Sequence, residues 1–163
     1  TQGKPKIAVV AHDLRYDGKT NQQLVREMMA LGDKIELHTF GKFSPFTAGN
    51  VVNHGFETDK RKLMSALNQM DALVFSSRVD NYPLILCEAL SIGVPVIATH
   101  SDAAREGGKT VSEEEVLQLV QLSKPEIAQA IFGTTLAEFS QRSRAAYSGQ
   151  QMLEEYVNFY QNL

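Results

Sequence analysis

Residues 71–99 read DALVFSSRVDNYPLILCEALSIGVPVIAT. Three units follow one another in that stretch. Asp71 to Ser76 is a short apolar run, Leu84 to Ile92 is an apolar helix stopped by Gly93, and Val94 to Thr99 is a second, β-branched run. Apolar runs of this length on either side of a helix fit strands buried on both faces, joined by a parallel crossover. Pro83 stands where a proline suits the first helical turn, since its missing N–H would have had no intrahelical partner.

Outward from that unit the same alternation continues. Lys6 to Ala11 predicts a buried strand, followed by a polar loop from His12 to Lys19. Asn21 to Leu31 carries Leu24, Met28 and Leu31 at helical spacing and stops at Gly32. Lys34 to Phe40 alternates as a second strand, and Val51 to Phe56 predicts a third. Asp59 to Met70 predicts a helix capped by Thr58 or Asp59. Beyond Ser112 the pattern is helical throughout: Glu113 to Leu122, Pro125 to Phe132, Leu136 to Tyr147 and Gln150 to Tyr160. The fold class is therefore α/β, a Rossmann-like, doubly wound parallel sheet with a helical C-terminal third. That third is expected to pack on the same domain, with its last helix capping it or crossing to a partner domain. Right-handed crossovers place the strand C-termini on one edge, and in such sheets ligands bind where the strand order reverses.

Bulk properties narrow the class. A length of 163 residues suits one domain with a sizeable core, residues 1–163. Net charge is −3 and the isoelectric point is near 5.8; nucleic acid and anionic membrane surfaces are not expected partners. Apolar runs are strand-sized, too short to span a bilayer. The polar start, from Thr1 to Lys6, is unlike a signal peptide, and the missing initial Met points to a chain cut from something longer. The lone Cys87 excludes an internal disulfide and suits a reducing, cytoplasmic compartment. Its apolar flanks favour an inert buried thiol over a nucleophile.

The turn from Ser76 to Pro83 enters its helix at the ligand-bearing edge. A helix start offers unpaired N–H groups and about half a unit of positive charge, which suits phosphate. Glu88 lies roughly 8 Å along the axis, at about 1.5 Å per residue, a distance that fits pyrophosphate to ribose. A carboxylate can accept from both ribose hydroxyls, and Asp80 at the strand end could face a sugar. Spacing alone leaves a second reading open, in which the polar turn is ordinary and Glu88 is a solvated helix residue. The apolar flanks Leu86, Cys87, Ala89 and Leu90 set Glu88 apart, because a carboxylate among them should have a partner or a ligand. Lys19, following Gly18 at a helix start, suits phosphate equally well as it suits a solvated surface. His12, His38, His54 and His100 are scattered without metal-ligand spacing, so no metal site is expected. Gly107-Gly108 reads as a turn, and Glu113-Glu114-Glu115 as a helix start answering the dipole. Tyr147, Met152, Tyr156, Phe159 and Tyr160 read as a packing face.

The run from Asp80, through seven residues, to Glu88-Ala89-Leu90-Ser91-Ile92-Gly93-Val94-Pro95-Val96-Ile97-Ala98 resembles the signature of glycosyltransferase family 4, retaining enzymes of the GT-B fold. The rest of the chain is similar to that family's C-terminal domain. The resemblance implies one half of a GT-B fold, with the N-terminal acceptor domain absent. It implies binding of a UDP- or GDP-sugar, without metal or other cofactor, for hexosyl transfer with retention to a colanic-acid-type exopolysaccharide or a lipopolysaccharide glycan. Glycan or lipid-linked acceptor, and any peripheral contact with the inner membrane, would belong to the full-length protein. No catalytic residue is expected in this fragment, which should bind donor and turn nothing over.

By the same resemblance Glu88 binds the donor ribose and Asp80 replaces the glutamate that contacts the transferred sugar, one methylene shorter. Asn81, Tyr82, Pro83, Leu84 and Ile85 line the sugar and phosphate oxygens. Lys19 neutralises the diphosphate, and Arg15 substitutes for a family arginine after the first strand. After the fifth strand, Asp102 and Ala103 stand where the family has glycines, and a handful of residues is absent between Glu106 and Gly107. A related sugar-nucleotide epimerase and a non-catalytic Rossmann-like interaction module are the alternative classes.

Overall fold

The computed structural model describes residues 3–18, 20–76, 84–99 and 110–146. Five strands run parallel: β1 (Lys6–Asp13), β2 (Glu36–Lys42), β3 (Val51–Asn53), β4 (Ala72–Phe75) and β5 (Val96–Ala98). Their order is β3-β2-β1-β4-β5, so the winding reverses between β1 and β4. Helices α1 (Gln22–Met29), α2 (Lys60–Leu67) and α3 (Leu84–Ser91) connect them, and α4 (Glu113–Leu119), α5 (Lys124–Phe132) and α6 (Leu136–Ala146) form the helical third. Thr110 pairs with Ala98 in parallel, so the chain returns beside β5 before α4 begins.

Alternate strand residues feed two cores, as the period of two demands. Ile7, Val9, Leu37, Ala72, Val74 and Ile97 pack with Leu24, Val25 and Met28 of α1, Val116 and Leu119 of α4, and Ile127 and Ile131 of α5. Ala8, Phe40, Leu73, Phe75, Val96 and Ala98 pack with Leu67, Leu86, Ala89, Leu90 and Phe139 on the other face. Helices thus cover both faces, and the doubly wound α/β expectation holds. Each fully buried Leu, such as Leu24, Leu73 and Leu86, contributes about 1.5–3 kcal/mol.

Boundaries differ where polar residues carry structure. β1 continues through His12 and Asp13, which had read as loop, because Asp13 pairs with Lys42 after a register shift beyond Val10. A Cβ at Gly41 would stand 2.0 Å from the Ala11 carbonyl oxygen, so only glycine fits beside that irregularity. β3 stops at Asn53 rather than Phe56, and α2 stops at Leu67 rather than Met70. Gly93 closes α3 at φ 78°, in the left-handed region that glycine enters without strain. A Cβ there would also lie 2.5 Å from Ser140 Oγ of α6. Arg144 of α6 donates to the Ile92 carbonyl at 2.9 Å, so α6 is fastened across the end of α3. The expected helix from Gln150 to Tyr160, with its aromatic face from Tyr147 onward, lies outside the described residues, as do Gly107 and Gly108.

Candidate functional site

The C-terminal edge between β1 and β4 is built by a few polar residues. Asn21 caps α1 by accepting from Leu24 N at 3.1 Å, its amide donates to Glu113 Oε1 at 2.6 Å, and its backbone N–H donates to Ser76 Oγ at 3.3 Å. Ser76 directly follows β4, so this set ties the two sides of the reversal together. The backbone N–H of Gln22 donates to Asp17 Oδ1 at 3.0 Å. The start of α1 is thus largely answered by its own loop, which reduces what it can offer a phosphate.

Glu88 lies one turn into α3 and is buried, 7% exposed, as its apolar flanks led us to expect. Its Oε1 accepts from Lys60 Nζ at 2.7 Å. Its Oε2 is buried without a partner. Lys60 is the first residue of α2, set by Asp59, whose side chain accepts from Arg61 N. Among the described residues, four buried side-chain atoms lack partners: Thr20 Oγ1, Glu88 Oε2, Thr99 Oγ1 and Thr134 Oγ1. The first three stand on α3 or on segments leaving β1 and β5 at this edge. Buried polar atoms are paired with few exceptions, so these three leave hydrogen-bonding capacity at this edge.

Arg15 follows β1, but its guanidinium is engaged. It donates to both carboxylate oxygens of Asp13, at 3.1 and 2.8 Å, and sits 4.0 Å over the Phe43 ring. This contact holds the Asp13 carboxyl down at about 2, chiefly through the hydrogen bonds from Arg15. Leu84 opens α3, and Ile85 is half-buried against the second core. Lys19, Asp80, Asn81, Tyr82 and Pro83 lie outside the described residues, and the structure therefore speaks to Glu88, Arg15 and the start of α3 alone.

Two groups escaped the sequence reading. Lys60 is 28 residues from Glu88, and no local pattern links them. His38 and His54, read as scattered, are joined: β2 and β3 bring His38 Nδ1 within 2.8 Å of His54 Nε2, and His38 Nε2 within 2.6 Å of Glu36 Oε1. Burial first, and then His38, push the His54 imidazole below its usual range. These nitrogens bond to one another, and no group of three His, Cys, Asp or Glu among the described residues could hold a metal ion.

The profile of glycosyl transferases group 1 matches residues 5–133, which carry this sheet and edge. The chain belongs to that glycosyltransferase family. It is 97% identical over 168 aligned positions to WcaC, named as a colanic acid biosynthesis glycosyl transferase of Escherichia coli (strain K12), covering all of this chain and 42% of that protein. An alignment of 168 positions against a chain of 163 residues leaves five positions without a counterpart here. Among solved structures the chain resembles S. aureus TarM in complex with fondaparinux, α-GlcNAc-glycerol and UDP, at TM-score 0.68 and 16% identity over 96% of this chain and 35% of that one. It also resembles the pneumococcal O-GlcNAc transferase GtfA in complex with UDP and GlcNAc, at TM-score 0.63 and 12% identity over 99% and 37%. At these identities the likeness is one of fold, the GT-B-like α/β fold. No helix among the described residues is long and apolar enough to cross a membrane.

Proposed function

We propose that this chain is the donor-binding half of a two-domain, retaining glycosyltransferase of family 4, and that Glu88 receives the donor's ribose. The observation that carries the proposal is the buried Glu88 carboxylate, whose Oε2 has no partner, one turn into the helix that leaves β4 at the reversal of strand order. A ribose hydroxyl is a donor of the right kind and reach for such an oxygen. Family membership and the relative's name support glycosyl transfer in colanic acid biosynthesis; in this reading the donor is a nucleotide diphosphate sugar and the group moved is a hexosyl. Two fold neighbours were solved with UDP, which makes UDP and GDP the first probes.

In this reading the start of α3, with Asp80 to Pro83 before it and Lys19 near α1, meets the sugar and diphosphate, and no metal is required. Arg15 would join through the donors that its two bonds to Asp13 do not use. The chain spans under half of its relative's length, and the acceptor side belongs to a domain outside it. The contribution of this half is positioning and stabilisation of charge on the leaving diphosphate. The setting is the cytoplasm, with any contact to the inner membrane made by the full-length protein.

Calorimetric titration with UDP and GDP tests the reading. Binding is expected, and Glu88→Gln should weaken it by about 1–3 kcal/mol, the scale of a charge-assisted hydrogen bond. Unchanged affinity removes the ribose assignment, and no binding at millimolar nucleotide favours an interaction module. Glycosyl transfer by this chain alone would overturn the division of labour.

A further inference from the structure

The cation beside Glu88 is out of place as a stabiliser of its own helix. Lys60, Arg61 and Lys62 fill the first turn of α2, with no acidic residue there. Cations at a helix start oppose the macrodipole, so local energetics do not account for this choice. Nor does the ion pair. The Lys60 side chain is 64% exposed and Glu88 only 10%, and a pair with one partner in solvent adds little to stability. Residues that break local rules without local gain concentrate where a protein meets a ligand.

Geometry supplies the gain. The last torsion of a glutamate is soft, so an unheld carboxylate presents its oxygens over a broad range of planes. Lys60 Nζ, 2.7 Å from Oε1, fixes one oxygen and thereby the other. Oε2 is left facing its surroundings without a donor. We infer that Lys60 is a positioning residue for ribose recognition, holding the Glu88 carboxylate so that Oε2 accepts from a ribose hydroxyl. The inference rests on the ribose reading of Glu88 and adds a residue to it. It also narrows the earlier expectation that both carboxylate oxygens are open to the ribose, since one is taken.

The test compares UDP and GDP with their 2′-deoxy and 3′-deoxy forms by calorimetry, for the wild-type chain and for Glu88→Gln, Lys60→Met, Lys60→Arg and Lys62→Met. The readout is the ratio of ribo- to deoxynucleotide affinity, which cancels general losses of folding or charge. The wild-type ratio should be about tenfold, one charge-assisted bond. Glu88→Gln should bring it near one, Lys60→Met should lower it at least threefold (an order-of-magnitude expectation on the same scale), and Lys60→Arg should restore it. Lys62→Met should weaken all nucleotides alike and leave the ratio intact. A ratio that collapses in Glu88→Gln but survives Lys60→Met overturns the positioning role and spares the ribose reading. A ratio untouched by Glu88→Gln, or no binding of any of these nucleotides at millimolar concentration, removes both.

Discussion

Replacing Glu88 by Met should stabilise the nucleotide-free protein and weaken nucleotide binding, two effects of opposite sign from one side chain. Its Oε2 is buried without a donor, and the cation on Oε1 is mostly in solvent. A buried acceptor left unpaired costs about 1–3 kcal/mol, and an ion pair of this exposure returns about 0.2–1 kcal/mol. Met has a similar length and volume and adapts to irregular space at little strain. The difference favours the variant by about 1–2 kcal/mol, or about 2–8 °C in Tm for a chain of this size. Thermal unfolding followed by circular dichroism, without nucleotide, measures the first effect, and titration with UDP and GDP measures the second. A fall of several degrees with unchanged nucleotide affinity would refute the reasoning, because the carboxylate would then serve only to hold α2 to α3.

Three further outcomes follow from particular contacts. Gly93→Ala should destabilise by about 1–3 kcal/mol, combining left-handed strain with the clash at Ser140 Oγ; adding Ser140→Ala should recover part of the loss in chemical denaturation, and full recovery would show that φ strain contributes nothing. Asp13 is held down at about 2 against an ordinary 3.8, so its contribution is present above about pH 4 and is lost as pH falls through 2; Arg15→Ala should return its NMR titration midpoint toward 3.8, and an unmoved midpoint would discount the contact. The imidazole of His54 is pushed below its ordinary 6.5 by burial and by His38, so the folded state takes up that proton later than the unfolded chain does; denaturant midpoints should fall as pH drops below about 6.5, less steeply in His54→Gln, and parallel slopes would count against the pair.

The fold was legible because its strands are buried on both faces. Such strands make short apolar runs, and the helices between them have clear stops at Gly32 and Gly93. Legibility failed where structure is carried by polar residues in pairs distant along the chain. His12 and Asp13 extend β1 only because Lys42 stands opposite, which no periodicity in 6–13 encodes. His38 and His54 are 16 residues apart and meet through the register of β2 with β3. Glu88 was readable for the opposite reason. A charged residue among Leu86, Cys87, Ala89 and Leu90 conflicts with its own neighbourhood, and that conflict is visible without a partner. Lys60 sits in a stretch where a lysine is ordinary, and only the crossing of α2 with α3 gives it meaning.

The charges along the edge bear on where a diphosphate would lie. Around α1 stand Asp17 and Glu113, and Asp13 paired with Arg15; the Asn21 side chain is bonded to Glu113 and the Gln22 backbone N–H to Asp17. Around the start of α2 stand Lys60, Arg61 and Lys62, with Glu57 and the capping Asp59 just before them. The dipoles of α1 and α2 both present their positive ends at this edge, and acids stand beside each of them. On the α2–α3 side the buried Glu88 would repel an anionic donor if its charge stood alone. Lys60 offsets that repulsion by bonding the carboxylate, while Glu57 and Asp59 balance Arg61 and Lys62. Under the proposed reading, Lys19 would supply the cation that the acidic corner at α1 needs before phosphate can approach it. The Lys60 bond accounts for a buried acid beside an anionic ligand: the carboxylate is tolerated because its charge is answered from the adjoining helix and its open oxygen is directed to a hydroxyl rather than to a phosphate.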